Sequence, residues 1–331
     1  MITDNIIDLI GNTPMIRIKM KNNDWNVYLK MEKFNPGQSM KDRMALNMIE
    51  QAEKRGDLKP GGTIIESSSG NTATGLAIVS AIKGYNFIAV VDHHASEDKI
   101  KIIKAYGGKI VMVGQGNKAD EVAVVERERK ALELSKEIPN SYVPRQHENL
   151  DNRGAYVDTL AKELIDDLGT IHEVYGSIGT GGSICGTSLG LKKYGSNSKI
   201  NAIEPIGSII FGGHGGPYFQ SGTGNPPGAE VPPIIDFNVI DKNYYASDKE
   251  AFNTCRYFAR KFGIMVGGSG GGVIYKALED LNKKTGEGNA VILLCDGGEK
   301  YLDKVFNDDW MQKYNMFDSS IDNNLDSWLR R

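Results

Sequence analysis

Between Thr63 and Ile138 the chain changes its hydrophobic period repeatedly, and no other feature restricts its fold as strongly. Thr63-Ile64-Ile65-Glu66 reads as a short buried strand, Ala73 to Ile82 as a helix, and Asn86 to Asp92 as a strand. A helix over Ser96 to Tyr106, a strand over Lys109 to Val113 and a helix within Ala119 to Ile138 follow. The second half repeats the rhythm in Ala155 to Leu168, Glu173 to Ile178, Ile184 to Lys193, Lys199 to Glu204, Glu250 to Phe262, Val273 to Asn282 and Ala290 to Cys295. Strands separated by helices pair in parallel and are covered on both faces, so the chain belongs to the α/β class. Ligands of such sheets bind at the carboxyl ends of the strands, which here carry the loops at Ser67, Gly179, Gly267 and Asp296.

Ahead of the first of these strands, Asn35-Pro36-Gly37-Gln38-Ser39-Met40-Lys41-Asp42-Arg43 leads from turn formers into a helix. Met40, Met44, Ala45, Met48, Ile49 and Ala52 recur at helical spacing until Gly56 ends the pattern, which puts Lys41 in the first turn. The positive end of the helix dipole and partial burial both disfavour an ammonium ion there. A neutral lysine can form a Schiff base.

Two further loops give that lysine a context. Gly179-Thr180-Gly181-Gly182-Ser183 lies between a strand and a helix, where glycines admit a phosphate to the backbone amides and the hydroxyls of Thr180 and Ser183 can donate to it. It lacks the lysine of a P-loop and fits the dinucleotide fingerprint poorly, because Glu204 near the acidic position is followed by Pro205. A phosphate loop together with a Schiff-base lysine suggests pyridoxal 5'-phosphate. Ser67-Ser68-Ser69-Gly70-Asn71-Thr72 collects hydroxyls, an amide and a helix N-terminus, a donor set suited to the carboxylate of an amino-acid substrate.

On these residues the chain resembles the cysteine synthase and cystathionine beta-synthase family, the beta-family of fold type II pyridoxal phosphate enzymes, from about Ile6 to Trp310. Ile10-Gly11-Asn12-Thr13-Pro14-Met15 is similar to the family's opening signature, and Lys41 stands in its Schiff-base position. The resemblance implies two three-layer parallel-sheet domains with the cofactor in the cleft between them: residues 1–40 and 147–310 as the larger, 41–146 as a smaller mobile domain, and 311–331 as a tail. It implies that Ser68, Ser69, Gly70, Asn71, Thr72 and Gln146 hold the substrate carboxylate, with Asn71 also on the ring hydroxyl. Gly179, Thr180, Gly181, Gly182 and Ser183 would take the phosphate, with Gly267 among the cofactor contacts.

This sequence departs from the family in two places. The serine that faces the pyridine nitrogen falls on Asp296 or Gly297 of Cys295-Asp296-Gly297-Gly298-Glu299-Lys300-Tyr301. A carboxylate there favours a protonated ring and a stronger electron sink. Glu230, in Gly228-Ala229-Glu230-Val231-Pro232, stands where relatives have small apolar residues near the incoming nucleophile. It is either a solvent-facing loop residue or a base acting on that nucleophile.

The implied reaction is β-replacement on O-acetylserine, O-phosphoserine or cysteine through an aminoacrylate, cysteine synthase-like. Alternatives are a siderophore-precursor synthase joining phosphoserine to glutamate, which Gly207-Ser208-Ile209-Ile210-Phe211-Gly212 resembles, and a cysteine lyase using water or a thiol. A serine or threonine dehydratase fits less well, since its Ser-Phe-Lys and Ala-Gly-Asn-His motifs are absent. Composition agrees with a globular enzyme: 331 residues, 40% apolar and 24% charged, long enough for one or two domains. Thirty-nine basic against 42 acidic residues, without a basic face, argue against nucleic acid, and the apolar runs are too short to span a membrane. Cys185, Cys255 and Cys295 lack metal-ligand spacing and read as core thiols of a cytoplasmic protein, His93-His94 as a solvated loop, and Glu126 to Lys130 as a solvated helix face. A homodimer without metal is expected, its tail either a packed helix or a partner-binding segment.

Overall fold

A computed structural model describes residues 2–93, 95–114 and 124–330. The chain forms two compact units: residues 1–10 with 35–155, and residues 11–34 with 156–331. His94 and the first residues of the helix expected within Ala119 to Ile138 lie outside the described residues.

The first unit carries strands β3 (Thr63–Glu66), β4 (Asn86–Val91), β5 (Lys109–Met112) and β6 (Ser141–Tyr142), joined in the order β5-β4-β3-β6 with every pair parallel. Its helices are α1 (Lys41–Arg55), α2 (Asn71–Lys83), α3 (Glu97–Ala105), α4 (Val124–Glu137) and α5 (Leu150–Gly154). Side chains alternate across the sheet: Ile64, Phe87, Ala89 and Val91 join the α1 and α2 core, whereas Ile65, Ile88 and Val90 join Ala131 of α4. These are the two faces of a three-layer sandwich. Helix α1 buries Met44, Ala45, Met48, Ile49 and Ala52 and stops at Gly56, whose φ of 78° is the left-handed cap that glycine adopts without strain.

The second unit holds β1 (Met15–Lys19), β2 (Asp24–Met31), β7 (Glu173–Ser177), β8 (Lys199–Pro205), β9 (Lys242–Ala246) and β10 (Glu287–Leu294), in the order β1-β2-β10-β7-β8-β9. Four of the five pairings are parallel; β1 runs antiparallel to β2, so the expectation of parallel sheets is corrected at this edge. Helices α6 (Leu160–Leu168), α7 (Gly182–Lys193), α8 (Asp248–Phe262) and α9 (Gly268–Leu281) cover the sheet, and α10 (Asp308–Lys313) and α11 (Ser319–Trp328) follow. Two helix starts differ from expectation. Residues 155–159 form turns before α6, and α9 begins five residues before Val273, inside a glycine run.

The tail is a packed helix. Ile321, Leu325 and Trp328 of α11 join the core beneath α8 and α9, and the Tyr257 hydroxyl donates to Asp326 at 2.8 Å. The opening signature is also anchored in this unit: buried Lys30 donates to the Thr13 carbonyl at 2.7 Å and pairs with Glu163 at 2.8 Å.

Candidate active site

In the first unit the chain brings together three of the predicted segments. Lys41 opens α1 and is half-buried, its amide donating to the Ser39 hydroxyl at 3.3 Å. The loop before it is shaped by Asp42, whose carboxylate takes the Gly37 amide, and a Cβ at residue 37 would lie 2.4 Å from that carboxylate. Gly75 of α2 sits against the same turn: its Cβ would come within 3.1 Å of the Ala45 Cβ and 3.3 Å of the Asp42 Cα. Close helix approach at that glycine sets the start of α2 beside the start of α1.

The α2 N-terminus is built to receive an anion. Gly70 caps it without a side-chain hydrogen bond, and its first turn contains no acidic residue, so no charge there opposes a carboxylate. Ser67, Ser68, Ser69, Gly70 and Asn71 are all half-exposed. Thr72 is buried and donates to Gln146 Oε1 at 2.8 Å. The Gln146 carbonyl in turn accepts from Asn152 at 2.7 Å, which fixes the glutamine beside the loop.

Two titratable groups here were not singled out from the sequence. Glu66 ends β3 with its carboxyl pushed up to about 7, chiefly by burial. His147, next to Gln146, is pushed down to about 4 by burial and then by the charges of Lys41 and Arg127. His147 could have been found from its place beside Gln146; Glu66 read only as the end of a strand.

The second unit carries the glycine loop. It follows β7 and opens α7, with Gly181 at φ 81°. A Cβ on Gly181 would lie 2.5 Å from Ile235 Cγ1, and one on Gly179 would lie 3.3 Å from the Gly222 carbonyl oxygen. Helix α7 is 12 residues long, has no acidic residue in its first turn and no side-chain cap, and Gly179 and Ser183 remain half-exposed. The Gly182 amide donates to the Thr180 hydroxyl at 3.3 Å, and this helix start with its half-exposed glycine and two hydroxyls has the donor chemistry that fits the phosphate of pyridoxal phosphate.

Gly267, which caps α9, and Gly297 are both buried. Asp296 accepts from the Tyr301 hydroxyl at 2.7 Å, and a Cβ on Gly267 would lie 2.0 Å from Asp296 Oδ1. The carboxylate is therefore packed on the Gly267 backbone and held by a tyrosine that burial, and then Asp296, keep well above its ordinary range. A Cβ on Gly297 would meet Glu299 Oε2 at 2.2 Å. Glu230 is exposed, and Asn225 holds its backbone carbonyl at 2.8 Å. The Gly207 to Gly212 segment is ordered by buried Glu204, which accepts from the amides of Ile210 and Phe211 at 3.2 Å each. Among the described residues no group of His, Cys, Asp or Glu could hold a metal ion, and no helix is long and apolar enough to cross a membrane.

An α/β fold with a lysine at a helix start, a serine-rich loop opening one helix and a glycine-rich loop opening another is what the structure presents. The sequence profile described as "Pyridoxal-phosphate dependent enzyme" matches residues 6–296, and the chain belongs to that family. It is 46% identical to a putative cysteine synthase of Sinorhizobium fredii over 99% of this chain and 98% of that one. Among solved structures, an O-acetylserine-dependent cystathionine beta-synthase from Helicobacter pylori superposes with a TM-score of 0.84 at 32% identity, covering 92% of this chain and 98% of that one. A hydrogen sulfide-producing enzyme from Fusobacterium nucleatum gives 0.82 at 34% identity, covering 91% and 99%.

Proposed function

We propose that this chain catalyses β-replacement on a serine-derived amino acid, O-acetylserine, O-phosphoserine or cysteine, in the manner of a cysteine synthase. The observation that carries the reading is the compact site in the first unit: Lys41 at the start of α1, α2 packed against that turn at Gly75, and the Thr72–Gln146 pair. Relatives named for cysteine synthesis, and neighbours named for O-acetylserine use and sulfide production, support the same chemistry.

Pyridoxal phosphate, when bound, supplies an electron sink for the charge that develops at the α carbon. In the second unit the amides of Gly179 to Gly182 and the hydroxyls of Thr180 and Ser183 would hold its phosphate, and Gly267 and Asp296 or Gly297 would be further cofactor contacts. Asn71 is the residue that would contact the ring hydroxyl. In the first unit, Ser68 to Thr72 and Gln146 bind and orient the amino-acid carboxylate, which fixes the α C–H bond for proton removal. Lys41 is the residue that would tether the cofactor in the resting enzyme, and its amine, when free, would take the α proton and later return it. Loss of the β substituent then lets a second molecule add at the β carbon. A homodimer in the cytoplasm is part of the same proposal, and sedimentation velocity tests the dimer.

The discriminating experiment supplies acetylserine, phosphoserine and cysteine, each with sulfide, glutamate or water, and identifies products by mass spectrometry. Cysteine from either activated serine with sulfide is the expected result. A glutamate adduct in its place moves the enzyme to the siderophore-precursor type, and pyruvate from every donor would contradict replacement altogether.

A further inference from the structure

Glu66 is the last residue of β3 and stands directly before the carboxylate loop. It is only 3% exposed, and a carboxylate so deep is costly unless donors gather around it. Oε1 accepts from the Ser67 amide at 3.0 Å. The amides of Arg145 and Gln146 act on the same carboxyl, while Oε2 is sealed from solvent and closes no hydrogen bond.

The backbone opposite is arranged for an anion. Arg145 has a φ of 51°, a left-handed conformation that costs a non-glycine residue about 1–3 kcal/mol and persists only where the surroundings enforce it. Left-handed residues turn successive amides toward one point, the concavity that binds anions elsewhere in proteins. Strand β6 pairs with β3 through Ser141–Thr63 and Tyr142–Ile64, so the two adjacent strands deliver the Arg145–Gln146 turn and Glu66 to the same sheet end. Glu66 thus holds the first residue of the loop, and Gln146 holds its last functional one, Thr72.

We propose that Glu66 is a positioning residue for the substrate carboxylate: its buried side chain ties the Arg145–Gln146 turn to the start of the Ser67–Thr72 loop, so that Gln146 and Thr72 present a preformed site. This rests on the reading of that loop as the carboxylate site. Burial and Glu128 of α4 push the Glu66 carboxyl up, and the three amides oppose them, so its charge depends on the contacts that do the positioning. Lys41 and Arg127 are the cations acting on His147 beside Gln146, and Arg127 is paired with buried Asp92 at 3.1 Å.

The test compares wild-type holoenzyme with Glu66→Gln and Glu66→Asp. L-Alanine, which has the α-carboxylate but no leaving group, is titrated calorimetrically, and kcat and KM are measured for both substrates alongside Tm. Glu66→Gln removes the charge at constant size and is expected to weaken L-alanine about tenfold and raise the amino-acid KM about tenfold, with kcat within about twofold and the sulfide KM unchanged. Wild-type L-alanine affinity with a lowered Tm would make the residue merely structural and overturn the proposal. Should Glu66→Gln not fold, Glu66→Asp keeps the charge and shortens the reach; a KM rise of severalfold is expected, and a wild-type KM overturns it. Wild-type enzyme that binds no L-alanine would instead refute the carboxylate-site reading, an outcome distinct from equal binding by wild type and variant.

Discussion

Replacing Thr72 by valine removes one buried donor and almost no volume. The Thr72 hydroxyl donates to Gln146 Oε1 at 2.8 Å, and the two residues are 3% and 7% exposed. Valine leaves that carbonyl oxygen buried without its donor, which costs about 1–3 kcal/mol. If the glutamine held its place, a cost of ~2 kcal/mol would appear as a Tm lower by about 4–8 °C. The loop beside it is half-exposed from Ser67 to Asn71, so the glutamine is expected to turn to water instead. The cost then falls on the substrate, which must restore the arrangement on binding, and ~2 kcal/mol is about thirtyfold in affinity. Steady-state kinetics with acetylserine and sulfide should show a KM at least about tenfold higher for acetylserine, an unchanged KM for sulfide, and a Tm lowered by less than about 4 °C. An unchanged acetylserine KM with the full loss of Tm would refute the idea that this pair organises the carboxylate site.

Lys41→Ala is expected to abolish turnover and to remove the absorbance band near about 415 nm of a lysine-linked cofactor; near-normal turnover would sink its role as tether and base. Glu230→Gln should leave the first half-reaction intact and slow consumption of the second substrate if that exposed carboxylate serves as a base, and stopped-flow traces identical to wild type would make it a solvent-facing residue. The pH dependence of stability should reveal Glu66 and His147 as opposing groups. His147 has a depressed pKa, so below about 6.5 the unfolded chain binds the proton better and stability falls towards about pH 4; Glu66 has a raised pKa, so its protonated form stabilises the fold at low pH and that contribution is lost as pH rises towards about 7. Urea midpoints of Glu66→Gln should therefore rise from pH 5 to pH 6.5 more steeply than wild type, and those of His147→Gln should rise less or fall; parallel curves would mean that neither group is buried as described.

The elements with an unbroken period were legible in the sequence. Met44, Ala45, Met48, Ile49 and Ala52 mark one face of α1 as far as the Gly56 cap, and β3 and β4 read directly as apolar runs because both faces of a parallel sheet are covered. The start of α9 was hidden by its own composition. Gly267 to Gly272 has poor helix propensity, yet a Cβ at Gly271 would lie 2.1 Å from the Ala251 carbonyl oxygen, so the packing of α8 on α9 requires the residues that disguise the helix. Strand β1 escaped because Arg17 and Lys19 face outward beside exposed Ile16, leaving a single buried position, Ile18, to signal it. Lys41 at the start of α1, the serine-rich loop opening α2 and the glycine loop opening α7 were placed by residue type and local order alone. Glu66 and His147 owe their perturbation to burial and to partners distant in sequence, which appear only when β3 and β6 are side by side.

The central claim is that this chain exchanges the β substituent of a serine derivative for an incoming nucleophile, and following the β carbon itself tests it most directly. Purified holoenzyme is given O-acetylserine labelled with carbon-13 at the β position, together with sulfide, and the reaction is followed by carbon NMR. The account predicts that the label moves into the sulfur-bearing methylene of cysteine, in wild type but not in Lys41→Ala. Label recovered in the methyl group of pyruvate, or retained in acetylserine by a cofactor-loaded enzyme, would contradict it.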